Sequence, residues 1–380
     1  MTRAGARAAG IPFHVVAALV AATSVIVGVI WDISWHRTIG RDTFWTPAHL
    51  AIYLGGILAG TACGWLVLRT TFAGTAEERA AGVRFWGFRG PLGAWVCIWG
   101  AIAMITSAPF DNWWHNAYGL DVKVLSPPHV LLALGFVGIQ LGALLLLAAR
   151  QHSAHADDPL ASRYRLLFAG AAGLLVATAA IFGFEQIGFP NEAHNALYYK
   201  ICAGIFPVLL FATARASTLR WPATTAAATF MAVNMVMLLV LPLFPATPKL
   251  APIYNALDRF VPPPFPILLV LPAIVIDLVL RRGPENDWTR AALGGIGFVA
   301  VLFAVQWLVT LYLVSPRSEN ALFGAQRWNY NSTLGPWRYQ FWGLRTDPLT
   351  PGGLVIATAL AVASARIGLW WGAGMARVRR

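Results

Sequence analysis

Charged residues are scarce in this sequence. Asp, Glu, Lys and Arg make up only 12% of its 380 residues, whereas soluble proteins average about 25%. No loop is long enough to form a soluble globular domain of about 100 residues, and the alternating segments of about ten residues that build outer-membrane barrels are missing. These absences exclude a soluble enzyme and predict an all-α, polytopic helical membrane protein.

Cysteine is also scarce. The three cysteines, Cys63, Cys97 and Cys202, all fall inside apolar segments and form no CxxC pair. This pattern excludes a disulfide framework, and small apolar packing in helices explains the three residues better than thiolate metal binding.

Apolar runs of about 20 residues, long enough to cross a bilayer as helices, fill most of the chain. Most of the basic residues lie in segments that face the cytoplasm if the N-terminus is inside, so the positive-inside rule predicts that both termini are cytoplasmic. This topology explains the net charge of +12 without a nucleic-acid partner. About ten spans are predicted, at residues 12–31, 46–68, 91–109, 127–149, 165–187, 197–214, 222–244, 264–280, 291–314 and 351–370.

The polar groups gather in two segments predicted on the outer side. The first contains Asp32, His36, Gly40, Asp42, Pro47 and His49, and the second contains Asp111, His115, Gly119, Asp121, Pro128 and His129. Both follow the pattern D-x3-H-x3-G-x-D with a later Pro and His, which indicates an internal repeat of two helical hairpins. Residues i and i+4 share a helix face, and chain reversal returns the later histidine to them.

Each copy therefore predicts a triad of one carboxylate and two imidazoles. This donor set suits copper, iron or zinc better than magnesium or calcium, and three protein ligands leave coordination positions open. Asp42 and Asp121 are candidates for hydrogen-bonding a ligand histidine, although a turn role or pairing with nearby basic groups fits them as well. Glu185, Glu192 and His194 form a third and weaker candidate group. They would either add a metal ligand or a proton relay to the triads, or form a hydrogen-bonded loop without such a role.

The segment "DISWHRTIGRDTFWTPAH" (32–49) closely resembles the metal-site motif in the C subunit of the copper membrane monooxygenases, the family of particulate methane and ammonia monooxygenases. The resemblance covers about residues 12–150. It implies that Asp32, His36 and His49 bind a metal, usually copper, near the outer face. The second triad resembles the family's neighbouring site, with Asp111 where the family has asparagine.

The resemblance implies a copper-dependent monooxygenase, or its metal-bearing subunit, with Asp32, His36 and His49 as catalytic residues. The expected partners are O2, a small apolar substrate, the bilayer, and other subunits or an electron donor in a homo- or hetero-oligomer. The expected location is a bacterial inner membrane, with the metal sites facing the periplasm. Residues 1–150 are the predicted metal-site domain, and residues 151–380 add further spans and an aromatic outer segment, 315–350. The alternatives are a copper-binding protein without catalysis and a non-haem iron oxygenase.

Overall fold

The computed structural model describes residues 10–39, 44–118, 126–154, 159–183, 193–246, 259–260, 262–313 and 348–379. Nearly all of these residues are helical, which confirms the predicted all-α class. The helices are α1 (Phe13–Thr38), α2 (Pro47–Phe72), α3 (Ala76–Ala81), α4 (Leu92–Tyr118), α5 (Pro127–Ser153), α6 (Ala161–Phe182), α7 (Ala196–Ala216), α8 (Pro222–Val240), α9 (Val270–Arg282), α10 (Asp287–Leu313) and α11 (Pro351–Met375). A short antiparallel hairpin, β1 (Val83–Phe85) and β2 (Phe88–Gly90), precedes α4.

Nine helices in the described part of the chain are long and apolar enough to cross a membrane, which supports an integral membrane protein. The predicted span 264–280 is the exception, because α9 has only 13 residues. The preceding sequence, "PPPFP" at 262–266, explains the late start, since proline lacks the N–H that a helix interior needs. The predicted count of ten spans is therefore not confirmed by helix length.

The chain forms two compact units. The first contains residues 1–25, 51–171 and 375–380, and the second contains residues 26–50 and 172–374. The second triad lies in the first unit and the first triad lies in the second. The predicted functional division at residue 150 stays a prediction, and most of the aromatic segment 315–350 lies outside the described residues.

Glycines hold α4 against α5 in the first unit. A Cβ on Gly93 would lie 2.7 Å from the backbone nitrogen of Leu146, and one on Gly100 would lie 2.8 Å from the backbone oxygen of Gly135. A Cβ on Gly142 would lie 2.6 Å from the backbone oxygen of Gly93. Small residues permit this close approach of helices in membranes, and the contact joins the two helices whose ends carry the second triad.

A similar small-residue contact joins α7 and α11 in the second unit. Ser364 inserts its hydroxyl into the α7 hydrogen-bond ladder near Pro207, accepting from the Val208 N–H and donating to the Gly204 carbonyl, both at 2.9 Å. Gly368, one turn further along α11, faces the Val208 carbonyl with room for no side chain. The Ser364 hydroxyl thus bridges backbone groups beside the proline, where side-chain insertion is a common device.

Asp277 is buried in α9 and has partners that differ from the expected one. The spacing predicts an ion pair with Arg281, four residues on. Instead, the Asp277 carboxylate accepts hydrogen bonds from the backbone N–H groups of Ala223 and Thr224 at 3.1 and 2.8 Å, while the Arg281 guanidinium lies 4.6 Å from the Trp221 ring centroid. The unpaired N–H groups at the start of α8 attract the carboxylate, so Asp277 acts as a helix cap.

Candidate metal centre

The first triad is assembled where α1 ends and α2 begins. Asp32 and His36 lie one turn apart near the end of α1, and His49 is the third residue of α2. Pro47 opens that helix, where proline's fixed φ and missing N–H are tolerated. The Thr46 hydroxyl then accepts a hydrogen bond from the His49 backbone N–H at 3.3 Å, which orients the first turn of α2.

The Asp32 carboxylate lies between the two imidazoles. Its Oδ1 is 3.3 Å from Nε2 of His49, and its Oδ2 is 3.7 Å from Nε2 of His36. The three side chains are between 22% and 29% exposed, so the cluster is shielded but still reachable by a small ligand. The structure thus brings together the three residues of the triad that was predicted from the sequence.

The second triad uses the same parts of α4 and α5. Asp111 and His115 lie one turn apart in the last two turns of α4, and His129 is the third residue of α5 after Pro127 and Pro128. The Asp111 Oδ2 is 3.3 Å from Nε2 of His115, and its Oδ1 is 3.4 Å from Nε2 of His129. One donor atom from each of these residues lies within 4.8 Å of the other two, and no other group among the described residues meets this condition.

The distances in the second triad fit a shared metal ion, because all three of its donor atoms lie within 4.8 Å of one another. Two ligand atoms that each lie about 2.0 Å from one ion at the tetrahedral angle are about 3.3 Å apart. Three of the four oxygen–nitrogen distances are 3.3–3.4 Å, and the Asp32–His36 distance is 3.7 Å. The second triad is therefore closer to a coordination geometry, and the first is more open, since its three donor atoms do not all lie within 4.8 Å of one another.

A buried carboxylate oxygen in each triad lacks a hydrogen bond. Among the described residues, Oδ1 of Asp32 and Oδ1 of Asp111 are both inaccessible to solvent and have no hydrogen-bond partner. An unsatisfied buried polar atom is costly and calls for an explanation, such as an ion that the atom binds. Because the same atom is affected in both copies, the residues fit a metal ion: a His/Asp triad here can hold one.

The structure also shows how the two copies of the repeated motif align. Thr46 and Ser126 each directly precede a helix, although only the Thr46 hydroxyl accepts a capping hydrogen bond. Each is followed by Pro, one further residue and the second histidine of its triad, His49 or His129. The copies therefore align as Ser/Thr-Pro-x-His, and their one-residue difference in length falls in the preceding loop. The N-cap signal Ser/Thr-Pro was available in the sequence, but the adjacent prolines 127 and 128 obscured it.

Three further donors lie on α1 beside the first triad. The Ser34 hydroxyl and the indole N–H groups of Trp31 and Trp35 are buried without a hydrogen-bond partner among the described residues. Trp31, Ser34 and Trp35 have the i, i+3, i+4 spacing that places residues on one helix face. The Trp35 ring packs 5.7 Å from that of Phe260, so an apolar surface adjoins this polar face.

The auxiliary residues have different outcomes. Asp42, Asp121, Glu185 and Glu192 lie outside the described residues. His194 is described: it is 3% exposed, and its ring centroid lies 3.9 Å from that of Trp307. Burial lowers the pKa of His194 to about 4, which keeps its imidazole neutral at pH 7.

Comparison with models of protein families, with curated proteins and with solved structures gives no match to this chain. The features of this chain that bear on its function are therefore the two triads, the resemblance of their motifs, and the membrane-length helices that carry them.

Proposed function

We propose that this chain is a copper-dependent membrane monooxygenase, or the metal-bearing subunit of one, that oxidises a small apolar substrate with O2. The observation that carries the proposal is the repeated triad, in which one aspartate contacts Nε2 of two histidines through its two oxygens. A bound copper ion would supply the redox chemistry that activates O2. The protein residues hold the ion and exclude most of the water.

The two triads have different roles in this proposal. Asp32, His36 and His49 are assigned the reaction site, because their segment carries the family motif most fully and because buried donors and aromatic rings adjoin it. Asp111, His115 and His129 are assigned a second metal site. The negative charge of Asp111, where the related family has a neutral amide, favours tighter binding of a cation at that second site.

The membrane supports the choice of substrate. Small apolar molecules partition into the bilayer, and they can reach a site at the end of a membrane helix without crossing water. Several aromatic side chains near the second triad are in mutual contact: the Phe110 and Trp113 ring centroids are 6.0 Å apart, and those of Trp114 and Tyr118 are 4.5 Å apart. Such a surface is suited to contact with lipid and with an apolar substrate. The location in a bacterial inner membrane with periplasmic metal sites belongs to the same proposal.

One alternative has a specific observation in its favour. Two histidines and one carboxylate with open positions are also the ligand set of non-haem iron oxygenases. Elemental analysis of the purified full-length protein distinguishes the two metals, and the electron paramagnetic resonance spectrum of a copper(II) protein shows hyperfine splitting from imidazole nitrogen.

The test measures metal content in matched variants. The double variant His115→Ala/His129→Ala should remove the metal of the second triad, and His36→Ala/His49→Ala should remove that of the first. His152→Ala is the control, because this histidine contacts the Val378 carbonyl and belongs to neither triad. Unchanged metal content in both double variants would overturn the proposed sites.

Catalysis needs a separate measurement. With a chemical reductant and a short-chain hydrocarbon, the metal-loaded protein should consume O2 in a substrate-dependent way, and the His36→Ala/His49→Ala variant should not. Full metal occupancy without substrate-dependent O2 consumption, also in the presence of its co-purifying subunits, would instead support a copper-binding protein without catalysis.

A further inference from the structure

The hairpin β1–β2 has two chemically different faces. Its turn, Trp86-Gly87, has positive φ at both residues, 47° and 86°, as a tight two-residue hairpin turn requires. Phe85 is paired with Phe88, and Arg84 is paired with Arg89. Because successive side chains in a strand point to opposite sides, the two phenylalanines share one face and the two arginines share the other.

The aromatic face packs along the start of α4. The Phe85 ring centroid lies 5.4 Å from that of Trp95 and 5.6 Å from that of Trp99, and the Trp86 ring at the turn lies 6.4 Å from Trp99. The Trp95 indole N–H also donates to the Val83 carbonyl at 3.1 Å. Trp99 is seven residues into α4, about 10 Å along its axis, so the hairpin folds back beside a candidate membrane-spanning helix.

The hairpin leaves large apolar side chains uncovered. Trp86 is 82% exposed and Trp99 is 45% exposed. Large aromatic rings beside the end of a membrane helix are favoured at the level of the lipid headgroups, where they contact both acyl chains and polar groups. Their position next to α4 therefore indicates the lipid bilayer as the covering medium.

The arginine face is suited to binding an anion. Like charges directly opposite each other in a hairpin are destabilising, yet Arg84 and Arg89 face each other across the strands. The nearby acidic residue Glu78 is engaged by Arg69 at 3.3 Å. Arg89 donates to the Arg79 carbonyl at 2.9 Å, and the exposed Arg84 keeps its guanidinium available. Guanidinium groups bind phosphate oxygens in bidentate fashion.

We propose that the β1–β2 hairpin is a binding site for an anionic phospholipid, with Arg84 and Arg89 on its phosphate group and Trp86 and Trp99 against its acyl chains. The site lies at the opposite end of α4 from Asp111. Residues 69–90 are predicted on the cytoplasmic side, where anionic lipids attract basic segments. The proposal is independent of any metal chemistry.

The first test measures lipid binding by native mass spectrometry of the full-length protein. Phosphatidylglycerol should bind more tightly than phosphatidylcholine, and Arg84→Gln should weaken phosphatidylglycerol binding about fivefold, the effect of one basic residue at an anionic lipid surface. Arg220→Gln removes an exposed arginine from a different loop and should change binding less than twofold. Equal effects of the two variants, or displacement of the lipid by millimolar inorganic phosphate, would overturn the proposal.

The second test locates the hairpin in the bilayer. The three native cysteines are buried, so a nitroxide can be attached selectively at Val83→Cys or, as a control in α3, at Ala80→Cys. In phosphatidylglycerol-containing nanodiscs the label at position 83 should collide with dissolved O2 more than with a water-soluble nickel complex, and the label at position 80 should show the reverse. A label at 83 that nickel reaches freely, or that neither reagent reaches because a protein covers it, would contradict a lipid contact.

Discussion

The Oδ1 atom of Asp111 lies 3.4 Å from Nε2 of His129 and has no hydrogen-bond partner among the described residues. Asp32 and His49 repeat this relationship at 3.3 Å. In each copy an aspartate near the end of one helix meets a histidine in the first turn of the next. The two clusters therefore have the same local arrangement, a helical hairpin whose turn brings one aspartate and two histidines together.

The charge of Asp111 can be tested without removing its oxygen. Asp111→Asn keeps an oxygen ligand but loses the negative charge, so the affinity of the second triad for copper should fall at least about tenfold, or about 1.4 kcal/mol. Competition with a chelator of known affinity measures this change. Asp287→Asn is the matched control, because that carboxylate lies near Arg215 and Arg290 and belongs to neither triad. Equal affinity in Asp111→Asn and wild type would show that the charge is not used.

The short helix α9 leads to a prediction about topology. Its 13 residues span about 20 Å, and residues 262–266, which precede a turn at 267–269, can add up to about 17 Å. Pro262–Pro266 are buried, and non-helical backbone is tolerated at membrane depth when it is buried in protein. We therefore expect 262–282 to cross the bilayer, so reporter fusions should place both termini inside. Termini on opposite sides would show that α9 does not cross.

The contact between α4 and α5 should be sensitive to a single methyl group. The Cβ in Gly142→Ala would meet Cys97 Sγ and would lie 2.6 Å from the Gly93 carbonyl oxygen. Overpacking of this kind costs about 1–3 kcal/mol, so the melting temperature should fall and the second triad should lose metal. Gly64→Ala, with no atom within 4 Å of the added Cβ, is the control and should be neutral or stabilising. A Gly142→Ala protein as stable as Gly64→Ala would refute the tight packing.

His194 should make stability depend on pH. Burial lowers its pKa from 6.5 to about 4, so the unfolded state gains a proton at a higher pH than the folded state. Titration of His194 therefore does not reduce the free energy of unfolding above pH 6.5. That free energy should decrease as the pH falls from 6.5 to about 4. His194→Gln cannot take up this proton. The difference in melting temperature between wild type and variant, measured at pH 7.5, 6, 5 and 4, should therefore change over that interval. A constant difference would contradict the buried, neutral imidazole.

Helix content and the triads were predictable because they follow from local rules. Apolar runs of about 20 residues indicate membrane helices, and the spacing of Asp111 and His115 places both on one helix face. The position of His129 next to this pair was predicted from the reversal of the chain between the two helices. The hairpin at 83–90 and the helix-capping role of Asp277 were not predicted. The first is too short to show a strand pattern, and the second depends on Ala223 and Thr224, more than 50 residues away.

The sequence by itself determined the helical membrane class, the position of most membrane helices and which residues form the two triads, because hydropathy and helical spacing depend on neighbours in the chain. Tertiary structure decided the rest. It made the second triad the tighter one, placed the Asp277 carboxylate at the start of α8, and packed Phe85 of the β1–β2 hairpin against Trp95 and Trp99 of α4. Each of these outcomes depends on which atoms from distant segments come within a few ångströms, and local sequence patterns do not encode such distances.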